Sequence, residues 1–196
     1  MARPTDLSAI ADRVFYLAGG YKYAMAGEGA CFMHCAPGVA MRPVNTGWYA
    51  GFGQLSGPPG GVQYTDDGGR FLGATFDPTA WYRFNAAQKL LQARKVSVSD
   101  IHAHARTLQK RFVAGLGSQS PLRAEQLIPG PGTPRGNFLT FRTATAPTLH
   151  QQLMDQHVIT DFRDDRLRFG FGVYHGPDEV DALLERLHQI APQHPA

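Results

Sequence analysis

The sequence predicts an α/β protein in two parts: an α/β segment first, then a small α+β unit. Three observations predict it. Short apolar runs near the N-terminus have strand length and carry apolar residues on both alternating faces, as in a covered strand. Two helical patterns occupy the middle of the chain. A stretch rich in Ser, Pro and Gly at 117–136 then leads into a segment where strand and helix patterns alternate. The expected division is residues 1–78, two connecting helices at 79–116, and a C-terminal unit at 117–196.

Asp6 to Ala11 reads as a short helix or turn capped by Asp6 or Ser8. Val14, Phe15, Tyr16 and Leu17 form an apolar run that predicts a strand, broken by Gly19 and Gly20. Ala30 to Cys35 is apolar on both faces and predicts a strand buried on both sides. Residues 36–69 are dense in Gly and Pro and include Trp48, Tyr49 and Phe52; they read as a long structured loop, a class more often functional than idle.

Thr79 is a candidate cap for a helix at 80–94, with Trp81, Phe84, Ala87, Leu90 and Leu91 at helical spacing. Ser99 or Asp100 caps a second, with Ile101, Ala105, Leu108 and Phe112 on one face and Gly115 past its end. A strand at 137–142, a helix at 147–156, a short strand at Val158 and Ile159 and another at 167–171 follow. In the last helix Pro177 suits the first position, and Asp178 and Glu179 suit the positive end of the dipole. Val180, Leu183, Leu184, Leu187 and Ile190 make its apolar stripe.

The composition excludes several classes. Of 196 residues 43% are hydrophobic and 18% charged, enough for a buried core and too apolar for disorder. The net charge of +3 is scattered and contains no Lys/Arg block, so a nucleic-acid partner is not expected. Two cysteines four residues apart, Cys31 and Cys35, make no disulfide framework, and no run is long enough to span a bilayer; the expected location is the cytoplasm.

Lys22 carries the chemical interest. A lysine that condenses with an aldehyde must lose its proton, and burial or nearby positive charge favours that loss. Lys22 sits between Tyr21 and Tyr23, after two glycines and at the end of an apolar strand, where a sharp turn and dehydration are both attainable. By spacing alone, a surface loop lysine is the commoner outcome.

The run from Phe15 to Phe32, with Tyr21, Lys22 and Tyr23 ahead of the Gly27-Glu28-Gly29 turn, resembles the Schiff-base segment of class V aminotransferases. The similarity continues through Arg42-Pro43, Gly47-Trp48-Tyr49, the stretch from Arg70 to Thr75 and the whole C-terminal unit. There the order Val158 to Arg163, Leu167 to Phe171, Tyr174 and Asp178 resembles the kynureninase-like branch.

The resemblance implies a pyridoxal 5'-phosphate (PLP) enzyme of fold type I. This chain would carry the later part of its α/β large domain plus the small C-terminal α+β domain. It implies that Lys22 holds the cofactor, that Tyr21 and Trp48 lie beside it, and that Thr75 reaches a partner subunit's cofactor phosphate in a homodimer. It also implies that Arg168 binds the substrate α-carboxylate, a task suited to its planar fork. Without that role Arg168 would be a surface strand residue paired with Asp164 or Asp165, and Trp48 a packing residue.

Only 21 residues precede Lys22, so the family's phosphate-cradling loop, stacking aromatic and ring-nitrogen aspartate are not in this sequence; Asp6 and Asp12 lie outside such a motif. The expectation is therefore a fragment of an enzyme acting on an amino acid, either a transferase or a kynureninase-like hydrolase cleaving a carbon–carbon bond. The competing class is a non-catalytic dimerisation remnant. A cysteine desulfurase is disfavoured because no cysteine occurs at 115–142. Cys31, His34 and Cys35 are too few for a structural zinc site. His102 and His104 read as surface residues.

Overall fold

The computed structural model describes residues 3–54 and 60–190. Four helices and five strands are described, in the order β1 (Tyr16–Gly19), β2 (Cys31–His34), α1 (Thr79–Ala93), α2 (Val98–Gly115), β3 (Phe138–Arg142), α3 (Ala146–Asp155), β4 (Asp161–Arg163), β5 (Arg166–Gly170) and α4 (Pro177–His188). The chain divides into two units, Thr5–Lys95 and Val96–Ala196, the latter with Met1–Pro4. The boundary falls between the two helices that the sequence groups as one connecting segment.

In the first unit β1 and β2 pair antiparallel, Tyr16 opposite His34 and Gly19 opposite Cys31. The expected burial of 30–35 on both faces is not found: Cys31, Phe32 and Met33 are exposed and His34 half-buried. Among the described residues the sheet has two strands and no layer covers it, so apolar alternation alone did not secure burial. Leu17 is 72% exposed for the same reason. A small cluster of Ala26, Ala30 and Ala80, with Phe84 against it, holds α1 to the loop between the strands. Thr79 is the first residue of α1 and not its cap, which is Pro78; the Asp77 carboxylate accepts from the Thr79 amide at 2.9 Å and from the Thr79 hydroxyl at 2.6 Å. At the other end of the unit, the Ser8 amide donates to Asp6 at 2.9 Å, as the turn motif predicts.

The second unit has the larger core. Its three strands run in the order β3-β5-β4, all antiparallel. Leu139, Phe141, Leu167 and Phe169 face inward onto α2, α3 and α4, which contribute Leu108, Phe112, Leu149, Leu153, Leu184 and Leu187. The face foreseen for α2 is the buried one, Ile101, Ala105, Leu108 and Phe112. Its cap is Ser97, which accepts from the Asp100 amide at 3.1 Å while Asp100 accepts from the Ser97 amide at 2.8 Å, a reciprocal capping box. Gly115 ends the helix rather than following it.

Val158 and Ile159 form no strand; Ile159 is 86% exposed, and the edge strand begins at Asp161. β4 and β5 are joined by Asp164 and Asp165, with Asp164 at φ 50, a conformation that aspartate tolerates in tight hairpins. His102 and His104 are half-buried rather than surface residues: His104 Nε2 donates to the His175 carbonyl at 2.8 Å, and His102 Nδ1 lies 3.4 Å from Asn137 Oδ1.

Candidate functional site

Lys22 lies at the apex of the 20–30 loop, and the backbone of that loop is fastened from several directions. The Gly20 amide donates to the Ala30 carbonyl at 2.5 Å, the Ala26 amide to the Gly20 carbonyl at 3.0 Å, and the Met25 amide to the Lys22 carbonyl at 2.9 Å. A Cβ at Gly20 would stand 3.0 Å from the Ala30 carbonyl oxygen, so glycine permits this closure. From α1, Arg83 donates through Nε to the Ala26 carbonyl at 2.8 Å and through Nη2 to the Glu28 carbonyl at 3.0 Å.

The loop is thereby held while the Lys22 side chain remains exposed. Its Nζ stands 5.6 Å from the centroid of the Tyr21 ring, within cation–π range. The described residues do not bury the amine.

Arg83 is a site-supporting residue that apolar periodicity does not reveal, because it is charged and its partners are carbonyls more than fifty residues away. Replacing Arg83 with Ala is expected to cost about 1–2 kcal/mol, since two carbonyls lose a charged donor. It should also speed hydrogen exchange at the Met25 and Ala26 amides. Unchanged exchange at both would show that the loop holds without the clamp.

The segments that carry Trp48 and Thr75 approach each other at Gly47 and Gly73. Gly47 packs so closely on Gly73 that a Cβ would sit 1.7 Å from the Gly73 carbonyl oxygen. Trp48 is 51% exposed and meets Tyr49 and Phe52 edge-on, with ring centroids at 5.5 and 5.6 Å. Thr75 is exposed. Among the described residues neither makes a hydrogen bond, ion pair or ring contact with Lys22. An apolar groove of about 810 Å³ in this unit is lined by residues of both strands together with Tyr21, Phe71 and Trp81.

Arg168 occupies the middle strand of the second unit's sheet, on the face away from the core. It stands opposite Thr140 on β3 and Asp161 on β4, and its Nη2 pairs with the Asp161 carboxylate. The partner is therefore Asp161 rather than Asp164 or Asp165. Asp161 also takes Arg163 Nη1 at 3.0 Å, while Asp165 takes Arg142 Nε at 3.4 Å and Arg166 Nη1 at 3.6 Å. The strand register explains the exchange: an aspartate directly opposite competes better than those in the turn.

No group of three or more metal-ligating side chains converges among the described residues. No described helix is long and apolar enough to cross a membrane.

This architecture is that of known proteins. Residues 101–187 match the family model described as the kynureninase C-terminal domain. Among solved structures, the cystine C-S lyase C-DES is similar at 19% identity and a TM-score of 0.75, with 97% of this chain and 50% of that one covered. The cysteine desulfurase CsdA of Escherichia coli is similar at 16% identity and a TM-score of 0.74, covering 96% and 48%. A cysteine desulfurase of Thermococcus onnurineus follows at 16% identity and a TM-score of 0.65, covering 89% and 46%. No curated protein matches the chain.

The chain thus has the mixed α/β fold of the later portion of PLP-dependent fold type I enzymes, and it spans about half the length of these structures. Residues 101–187 of it are similar to the kynureninase C-terminal domain.

Proposed function

We propose that the chain is the later part of a PLP-dependent enzyme acting on an amino-acid substrate, with Lys22 as the cofactor lysine and Arg168 as the carboxylate anchor. The Lys22 loop carries the reading: its backbone is pinned by bonds among Gly20, Ala26 and Ala30 and by the Arg83 guanidinium. A purely structural lysine needs no such mount.

The fit to the cofactor is partial. Lys22 offers the amine and Tyr21 an aromatic face, and the exposed hydroxyl of Thr75 is available to a partner subunit's phosphate in a homodimer. The nearby acids do not complete the set, since Asp6 is spent on the Ser8 amide. When bound, the cofactor supplies an electron sink for charge developing at the substrate Cα. Lys22 would hold that cofactor and would be the base for the Cα proton. Arg168 would pair with the substrate carboxylate through its planar fork.

Two other readings rest on particular observations. The match of residues 101–187 favours a kynureninase-like cleavage over amino transfer. The exposure of Lys22 favours a non-catalytic remnant. A desulfurase is disfavoured because the only cysteines are Cys31 and Cys35, with none at 115–142.

The test is chemical trapping. The purified chain is incubated with equimolar pyridoxal phosphate, reduced with borohydride and mapped by mass spectrometry. Label concentrated on Lys22 and lost in Lys22→Ala supports the reading. Equal label on Lys89, Lys95 and Lys110 sinks it.

A further inference from the structure

In an antiparallel ladder, residues directly opposite one another point to the same face of the sheet. In the second unit Arg142 stands opposite Arg166, and Arg166 opposite Arg163. Three arginines therefore form one rank across all three strands, about 10 Å wide at two interstrand spacings. Arg168 lies in the next rank on the same face, roughly 7 Å further along β5. The opposite face carries Leu167 and Phe169 and is buried.

Like charges directly opposite one another destabilise a sheet. Here the cost is offset only in part. Asp165 pairs with Arg142 and Arg166, and Asp161 with Arg163 and Arg168. Asp164, in the turn, makes no ion pair among the described residues. Four arginines against the two pairing aspartates leave an excess of two positive charges.

The pairs also leave donors over. Arg142 is engaged through Nε, Arg163 and Arg166 through Nη1, and Arg168 through Nη2. A guanidinium has five N–H donors, so each can take a further anion. The side chains of Arg142, Arg163 and Arg166 are 57%, 71% and 43% exposed, open to such a ligand.

We infer that the Arg142–Arg166–Arg163 rank is a second anion subsite, and that the ligand of this face is an amino acid bearing a further acidic group, carboxylate or phosphate. The inference rests on the reading of Arg168 as the α-carboxylate anchor and names the substrate class of that site. Arg168 takes the α-carboxylate. The side-chain acid extends toward Arg166, whose flanking arginines raise the local potential and displace part of the hold of Asp165.

The experiment follows the arginine Nε–H signals of the full, isotope-labelled chain by NMR, with L-alanine, L-glutamate and O-phospho-L-serine as probes. All three are expected to shift Arg168. Glutamate and phosphoserine should also shift Arg166 and bind roughly fivefold more tightly than alanine at low salt, an advantage that fades as salt screens the pair. The glutamate and phosphoserine arms separate a carboxylate subsite from a phosphate one.

Arg142→Gln, Arg163→Gln and Arg166→Gln together should abolish the advantage over alanine; Arg166→Gln alone, a milder change, should at least halve it. Equal affinity for all three probes in the wild type, or a preference that survives in both variants, overturns the subsite while leaving Arg168 as an anchor. No response of Arg168 to any probe overturns the anchor, and the subsite with it.

Discussion

Phe112→Ala should lower the stability of the C-terminal unit by about 3–5 kcal/mol, the range for deleting a fully buried ring. Phe112 is 0% exposed and is the hub of an aromatic cluster: its ring centroid lies 5.1 Å from Phe169, 6.0 Å from Phe171 and 6.1 Å from Phe141. Helix α2 thus meets both β3 and β5 through one side chain. The cavity would be lined by rings whose positions are set by backbone pairing, so collapse around it is limited. Urea unfolding followed by amide exchange at Leu139 and Leu167 measures the loss. Ile159→Ala, at a position 86% exposed in the same unit, is the comparison and should cost under about 1 kcal/mol. Similar losses for the two would mean that the aromatic hub is dispensable.

Arg70→Met is expected to cost about 2–4 kcal/mol in the first unit. Arg70 is 7% exposed, and its guanidinium is spent on backbone. Nε and Nη2 donate to the Thr65 carbonyl at 2.9 and 2.6 Å, and Nη1 donates to the Met41 carbonyl at 3.3 Å. Asp66, at 3.8 Å, is fully exposed and contributes little. One side chain therefore ties positions 41 and 65, the two flanks of the segment that contains Trp48. Methionine fills the volume but leaves both carbonyls without their charged donor, the expensive half of a broken hydrogen bond. In a Trp81→Phe background, which leaves Trp48 as the one tryptophan, emission should shift to longer wavelength at denaturant concentrations where the chain with Arg70 is unchanged. Coincident curves with and without Arg70 in that background would show that the segment holds without it.

Both residues show how far the sequence could be read. Phe112 was legible, because the spacing of Ile101, Ala105, Leu108 and Phe112 marks one helical face, and the helix that forms buries that face. Arg70 was legible only as part of a family-like stretch. Nothing local distinguishes an arginine whose partners are carbonyls five and twenty-nine residues away. Arg83 escaped for the same reason, its partners lying more than fifty residues upstream.

The candidate site divides along the same line. Lys22 is marked by its flanking aromatics and glycines. The loop bonds that mount it, and the approach of Gly47 to Gly73 that draws the Trp48 and Thr75 segments together, are tertiary facts. The side chains that hold the first-turn amides lie two residues earlier than expected, Asp77 for Thr79 and Ser97 for Ser99, because short polar side chains near a helix start can each satisfy such an amide.

The sequence by itself determined the two-part α/β plan and the amphipathic helices α2 and α4, and it named Lys22 and Arg168 as candidates through a family resemblance. These follow from short-range periodicity and from motifs read along the chain. Only the tertiary structure decided that β1 and β2 stay uncovered, that Asp161 rather than a turn aspartate holds Arg168, and that Arg142 joins Arg163 and Arg166 in one rank. Strand register sets which side chains share a face, and register is fixed by pairing between segments that local sequence does not connect.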